Sequence, residues 1–164
     1  MEGIEMSDMR RDTGDIFPSL TYEDAPAAIE WLCRAFGFER KLVVPGPEGS
    51  ITYSELCHGA GVIMVSSPKP DAGRVGPGSV PAVCQALCVH VDDPDAHYAR
   101  ATGAGAEIIQ DLKNEDYGSR GYLARDPEGH QWYFGTYRPG AYWEDGAHGD
   151  AEPAESIEQP TNGG

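Results

Sequence analysis

"YEDAPAAIEWLCRAFGFE" (Tyr22 to Glu39) and "HVDDPDAHYARATGAGAE" (His90 to Glu107), set one above the other, decide the fold. Asp24 falls on Asp92, Pro26 on Pro94, Ala28 on Ala96, Gly37 on Gly105 and Glu39 on Glu107, and every pair is 68 residues apart. That many matches in one ungapped register mark an internal duplication. Each copy reads as strand, cap, helix and stop. The preceding "IFPSLTY" and "CQALCVHV" have the β-branched and apolar content of strands. Asp24 and Asp92 stand where a carboxylate accepts hydrogen bonds from the free N–H groups of a first helical turn, and Pro two residues on suits that turn. Ile29, Leu32, Cys33 and Phe36 then form an apolar stripe at helical spacing. The second helix is weaker, with only Ala96, Ala99 and Ala101 for contact. Gly37 and Gly105 supply the left-handed residue that ends a helix.

Outward from each helix, the chain carries signals for three further strands. In the first half these are "RKLVV", "SITYSELC" and "GVIMVSS"; in the second they are "AEIIQ", "SRGYLA" and "HQWYFGTY". Each half is therefore βαβββ, the first over residues 15–66 and the second over 83–138. The join, 67–82, is rich in Pro and Gly and reads as a long exposed linker able to border a ligand site. Residues 1–14 are expected to be a flexible N-terminus. Residues 139–164 hold Glu144, Asp145, Asp150, Glu152, Glu155 and Glu158 without a Lys or Arg, so a disordered acidic tail is expected there.

The 164 residues carry a net charge of −15, and the 12 Lys and Arg are scattered. A phosphate backbone needs clustered cations, so the charge argues against nucleic acid as a partner. No apolar run approaches a membrane span, and the N-terminus has acids where a signal peptide needs bases, so a cytoplasmic protein with no membrane partner is expected. Cys33, Cys57, Cys84 and Cys88 form no C-x-x-C pair and sit in apolar-looking elements, which predicts buried free thiols.

The paired βαβββ units, the "VDD" turn at Val91–Asp93 and "DPEGHQWYF" (Asp126 to Phe134) together resemble the vicinal oxygen chelate superfamily, the glyoxalase and bleomycin-resistance fold, from about Phe17 to Tyr137. The resemblance implies an α+β protein in which tandem βαβββ modules form a curved, incomplete barrel around a cleft. Its metal-using members place His, Gln or Glu ligands on the first and last strand of each module. Carried onto this chain, those positions fall on Phe17, Met64, Ala86 (with Gln85 beside it) and Tyr133, which are poor donors for a hard divalent metal. The resemblance therefore points to the metal-free, drug-binding branch. The expectation is a homodimer with no cofactor, no metal and no catalytic residue, sequestering an aromatic or peptide antibiotic, or a related small and possibly cationic metabolite. The alternative is a glyoxalase-like lyase or isomerase with a relocated metal, or with metal-free acid–base chemistry at His90 and Glu55.

The expected ligand-binding residues are Phe17, Ser19, Tyr53 and Met64 in the first module. In the second they are Cys88, His90, Gln131 and Tyr133. By the period of two, His90 shares a strand face with Ala86 and Cys88, and Tyr133 shares one with Gln131, while Trp132 and Phe134 turn to the core. Glu55 reads chiefly as a solvated strand carboxylate. His58 and His130 lie at turns and His97 on the second helix, matching no helical metal motif and suiting surface or packing roles. Tyr53, Tyr117 and Tyr122 suit cleft walls or interfaces.

Overall fold

The computed structural model describes residues 14–141. The N-terminus expected to be flexible and the expected acidic tail lie almost entirely outside them. The first half folds as β1 (Ser19–Thr21), α1 (Ala25–Phe36), β2 (Glu39–Pro45), β3 (Ile51–His58) and β4 (Gly61–Ser66). The second follows as β5 (Ala86–His90), α2 (Pro94–Gly103), β6 (Glu107–Asn114), β7 (Arg120–Arg125) and β8 (Gln131–Gly135). Each half is a four-stranded mixed sheet, in the order β1-β4-β3-β2 or β5-β8-β7-β6. The first strand runs parallel to the last and the other pairs are antiparallel. The fold class is thus α+β with twin βαβββ units, built as two open sheets rather than a closed barrel. Short 3-10 turns at Pro70–Ala72 and Pro77–Ser79 punctuate the segment between them. Among the described residues, no helix is long and apolar enough to cross a membrane.

Three local readings need correction. The first strand is shorter than "IFPSLTY": Ile16 is 88% exposed, and the ladder starts with the Pro18 carbonyl accepting from Met64 N at 2.8 Å. Asp92 is not the cap of α2. Asp93 is, accepting from Ala96 N at 3.0 Å, just as Asp24 accepts from Ala27 N at 3.1 Å. Matching backbone positions are therefore 69 residues apart at the caps but 68 apart at Glu39 and Glu107, where β2 and β6 begin. One residue is missing from the second copy in between, and α2 has 10 residues against 12 in α1. Gly105 does take the left-handed conformation, at φ 87°, but two residues beyond the helix end. Finally, the cysteines are free but not buried. Cys33 and Cys57 are half-buried, and Cys84 and Cys88, on and beside the edge strand β5, are exposed.

One core serves both modules. Phe36, fully buried on α1, packs against Trp132 and Phe134 of β8, with ring centroids 5.5 and 4.6 Å away. Trp31 Nε1 donates to Ala104 O of the other half at 3.0 Å. Arg100 on α2 donates to the Cys33 and Arg34 carbonyls at 3.0 and 2.8 Å, satisfying the open C-terminus of α1. His97 Nε2 donates to Phe36 O at 2.9 Å, leaving Nδ1 to accept from Tyr122 OH at 2.6 Å. Tyr122 is completely buried in this arrangement, so it is core and not cleft wall or interface.

The acidic turn before β8 is a second tie between the modules. Asp126, 3% exposed, accepts at Oδ1 from the amides of Glu128, Gly129 and His130. At Oδ2 it accepts from Tyr22 OH at 2.6 Å and from Trp132 Nε1 at 3.0 Å. Burial, and then the Asp126 charge, push the Tyr22 phenol well above its usual range. His130, itself buried, reaches Thr21 O at 3.0 Å.

Candidate functional site

Strand alternation gives each sheet one face in the core and one open face. In the first sheet Leu20, Leu56 and Val65 turn inward, and the register lines up Ser19, Met64, Glu55 and Leu42 in a row across the other face. In the second, Tyr122, Phe134 and Trp132 are completely buried, and the row on the open face is Cys88, Tyr133, Leu123 and Gln110. Met64 and Tyr133 thus hold equivalent places. Their neighbours in the first strands are Ser19 and Cys88, whereas Ala86 pairs with Gln131 and Phe17 precedes the strand altogether.

The two rows differ in chemistry. On the first sheet Tyr53 OH donates to Glu55 Oε1 at 2.7 Å, and Arg74, from the connecting segment, donates to the Ser19 hydroxyl. On the second sheet Tyr133 lies against the backbone of two paired glycines, Gly121 and Gly135. A Cβ added at Gly121 would stand 2.4 Å from the Tyr133 hydroxyl oxygen, and one at Gly135 would stand 2.8 Å from its ring. Only glycine permits so close an approach. The Tyr133 hydroxyl sits 3.4 Å from Ser119 Oγ. Tyr117, 61% exposed, shares a hydrogen bond with Tyr133 that is the main cause of its phenol being pushed up to about 12, and its ring meets Tyr137 edge-on at 5.7 Å. The result is a tyrosine cluster on a flat glycine floor.

Of the eight expected ligand residues, Cys88 and His90 also border a cavity of about 650 Å³ that reaches from β5 to the β3–β4 turn. Phe17, Ser19, Tyr53, Met64, Gln131 and Tyr133 do not line it. Glu55 does not line it either, so this cavity does not bring His90 and Glu55 together as an acid–base pair. His90 Nε2 lies 3.8 Å from Asp92 Oδ1. Burial pushes the His58 imidazole below its usual range and the Cys88 thiol above it, which keeps both neutral at pH 7. Ser119 and Arg74 were not singled out from the sequence, and Tyr117 was expected only at a cleft wall or an interface. The glycines of "SRGY" and "YFGT", inside strand patterns, were the available signal for close approach.

The donors at the family's ligand positions are a thioether at Met64 and a phenol at Tyr133, with a hydroxyl at Ser19 and a neutral thiol at Cys88 beside them. This set does not fit a hard divalent metal. Among the described residues, no three His, Cys, Asp or Glu side chains are grouped so as to hold an ion.

Twin βαβββ units with open sheet faces define the class, and residues 17–134 match the Glyoxalase/Bleomycin resistance protein/Dioxygenase superfamily model. The chain belongs to that superfamily. It is 36% identical to TioX from Micromonospora sp. ML1, whose crystal structure superposes with a TM-score of 0.63 over 76% of this chain and 99% of that one. It is 31% identical over 121 residues to the uncharacterized protein Rv0887c of Mycobacterium tuberculosis, spanning 72% of this chain and 71% of the relative. Lactoylglutathione lyase from Agrobacterium tumefaciens shares the fold at 22% identity, with a TM-score of 0.56 over 74% of this chain and 92% of that one.

Proposed function

We propose that the protein is a binding member of its superfamily that holds a planar aromatic ligand, of the kind found in aromatic and peptide antibiotics, and confers resistance by sequestering it in the cytoplasm. The observation that carries this reading is the tyrosine cluster on its glycine floor. Tyr133 offers a ring held flat on the sheet, Tyr117 an exposed partner, and Gln131 a flanking polar group, while the buried Ser119 hydroxyl lies behind the Tyr133 hydroxyl. Affinity in such a site comes from buried aromatic area and a few polar anchors, with no covalent step. The donor set at Met64 and Tyr133 supports binding without metal. Leu42, Val44 and Ile109, each about 40% exposed on the strands β2 and β6 at the sheet edges, support a homodimer that covers them.

The test is fluorescence titration of bleomycin and an anthracycline into the wild type, Tyr133→Ala and Tyr133→Phe. Loss of the ring should weaken the planar ligand by about tenfold or more, while Phe retains most of the affinity. Equal affinity for wild type and Tyr133→Ala would overturn the stacking site.

A further inference from the structure

The duplication builds two helix N-termini with one geometry and gives them different neighbours. The cap residues Asp24 and Asp93 have closely matched backbone angles, φ −112° and ψ 76° against φ −121° and ψ 86°. The strand ladders ahead of them match too: Tyr22 N donates to Ser66 O and Val91 N to Gly135 O. At α1, the two amides in front of the helix already hold an anion. Glu23 N and Asp24 N donate to Oε1 and Oε2 of Glu128 at 2.6 and 3.0 Å. That carboxylate is delivered by the β7–β8 turn of the other module.

The counterparts at α2 are the amides of Asp92 and Asp93. The β3–β4 turn stands towards them as the β7–β8 turn stands towards α1. It consists of Gly59 and Ala60, one residue shorter than Pro127-Glu128-Gly129, and carries no acid. No carboxylate of the described residues bridges these amides as Glu128 does at α1. The turn and these two residues border one cavity of about 650 Å³, whose lining takes in Gly59, Ala60, Asp92 and Asp93.

Charge around the cavity agrees. Arg40, Lys41, Lys113, Arg120 and Arg125 are all ion-paired. Arg34, Lys69, Arg74, Arg100 and Arg138 are not ion-paired among the described residues. Of these, Arg100 and Arg138 line the cavity, and since Arg100 is held by the Cys33 and Arg34 carbonyls, Arg138 is the cation left to face a ligand there. Of the two acids on the rim, Asp93 is engaged by Ala96 N, and the Asp92 side chain is fully exposed to solvent. The remaining wall is apolar, with Phe38, Val62, Leu87 and Val89.

We propose that this cavity is a second ligand site, distinct from the tyrosine cluster, and that it takes a small organic carboxylic acid with an apolar body. The carboxylate sits on the Asp92 and Asp93 amides, as Glu128 sits on those of Glu23 and Asp24. The body fills the apolar wall, and Arg138 adds charge at the rim. A volume of 650 Å³ lies within the ordinary range for such pockets.

The test is a heteronuclear NMR titration of the isotope-labelled full chain with benzoate, with benzamide as the uncharged isostere and inorganic phosphate as a compact anion. Benzoate should shift the amides of Asp92, Asp93 and the Gly59–Gly61 turn in a saturable way, and benzamide and phosphate should not. Ala60→Glu, which lets the turn supply its own carboxylate, should abolish the response while the rest of the spectrum keeps its folded dispersion. Arg138→Gln should weaken benzoate by up to about tenfold. The proposal is overturned by an equal response to benzamide, by an equal response to phosphate, by no saturable shift, or by shifts centred on Tyr117 and Tyr133.

Discussion

The β7–β8 and β3–β4 turns hold matching places in the two modules, yet one is a hub and the other borders a gap. Asp126 and Glu128 between them accept hydrogen bonds from Tyr22, Trp132 and the amides that open α1, so the second module fastens down the first. At the matching place His58 stands for Asp126, and a Gly-Ala turn replaces the one that carries Glu128. The helices show the same inequality. Phe36 on α1 reaches across to the second sheet, whereas α2 offers Ala101 and relies on His97 and Arg100 for its cross-module contacts. A duplicated fold needs a strong tie only once on each shared surface. The copy relieved of that role is free to change, and here it has kept a cavity.

The largest loss is expected at Phe36, which ties the two modules together. Phe36→Ala should cost about 3–5 kcal/mol in denaturant unfolding, because both modules line the space it leaves. Asp126→Ala comes next, at about 3 kcal/mol, since it strands the buried Tyr22 hydroxyl and Trp132 N–H together. His58→Ala at the matching place should cost well under half of that. A similar cost for His58→Ala and Asp126→Ala would remove the inequality between the turns.

Acid sharpens the contrast from the other side. Burial lowers the pKa of both His97 and His58 in the folded state. The folded chain therefore binds fewer protons than the unfolded one below the ordinary histidine value of about 6.5. Their contribution to stability is fully present above that pH and is lost as pH falls from there towards the folded values. Unfolding midpoints should drop between about pH 7 and pH 5, and less so in His97→Asn. A flat profile through that window would contradict the half-buried, neutral His97. The smallest effect is expected at Glu128→Ala, about 1 kcal/mol, the ordinary worth of a helix-capping interaction.

The fold was legible in the sequence because the duplication repeats its punctuation. Caps, prolines and stop glycines recur in register, and the period-two alternation of "HQWYFGTY" correctly turned Trp132 and Phe134 inward and Tyr133 outward. The doublet Asp92-Asp93 hid the one-residue deletion in the second copy, since either aspartate satisfies an ungapped match. The open faces were legible for the same reason as the strands. What converges on them was not. The contact of Arg74 with Ser19, the burial of Tyr122 under His97 and the exposure of Cys88 depend on which strand ends at an edge and what crosses from the other module. No local pattern encodes those neighbours.

Whether a stacking surface stands where metal-using relatives place ligands is decided by calorimetric titration of the chelator-treated protein. The titrants are Ni²⁺, Zn²⁺ and the planar drug that binds best to the wild type. Saturable heat is expected from the drug, lost in Tyr133→Ala, with no stoichiometric uptake of either ion. Stoichiometric ion binding that survives Tyr133→Ala, with no drug binding, would contradict the stacking surface.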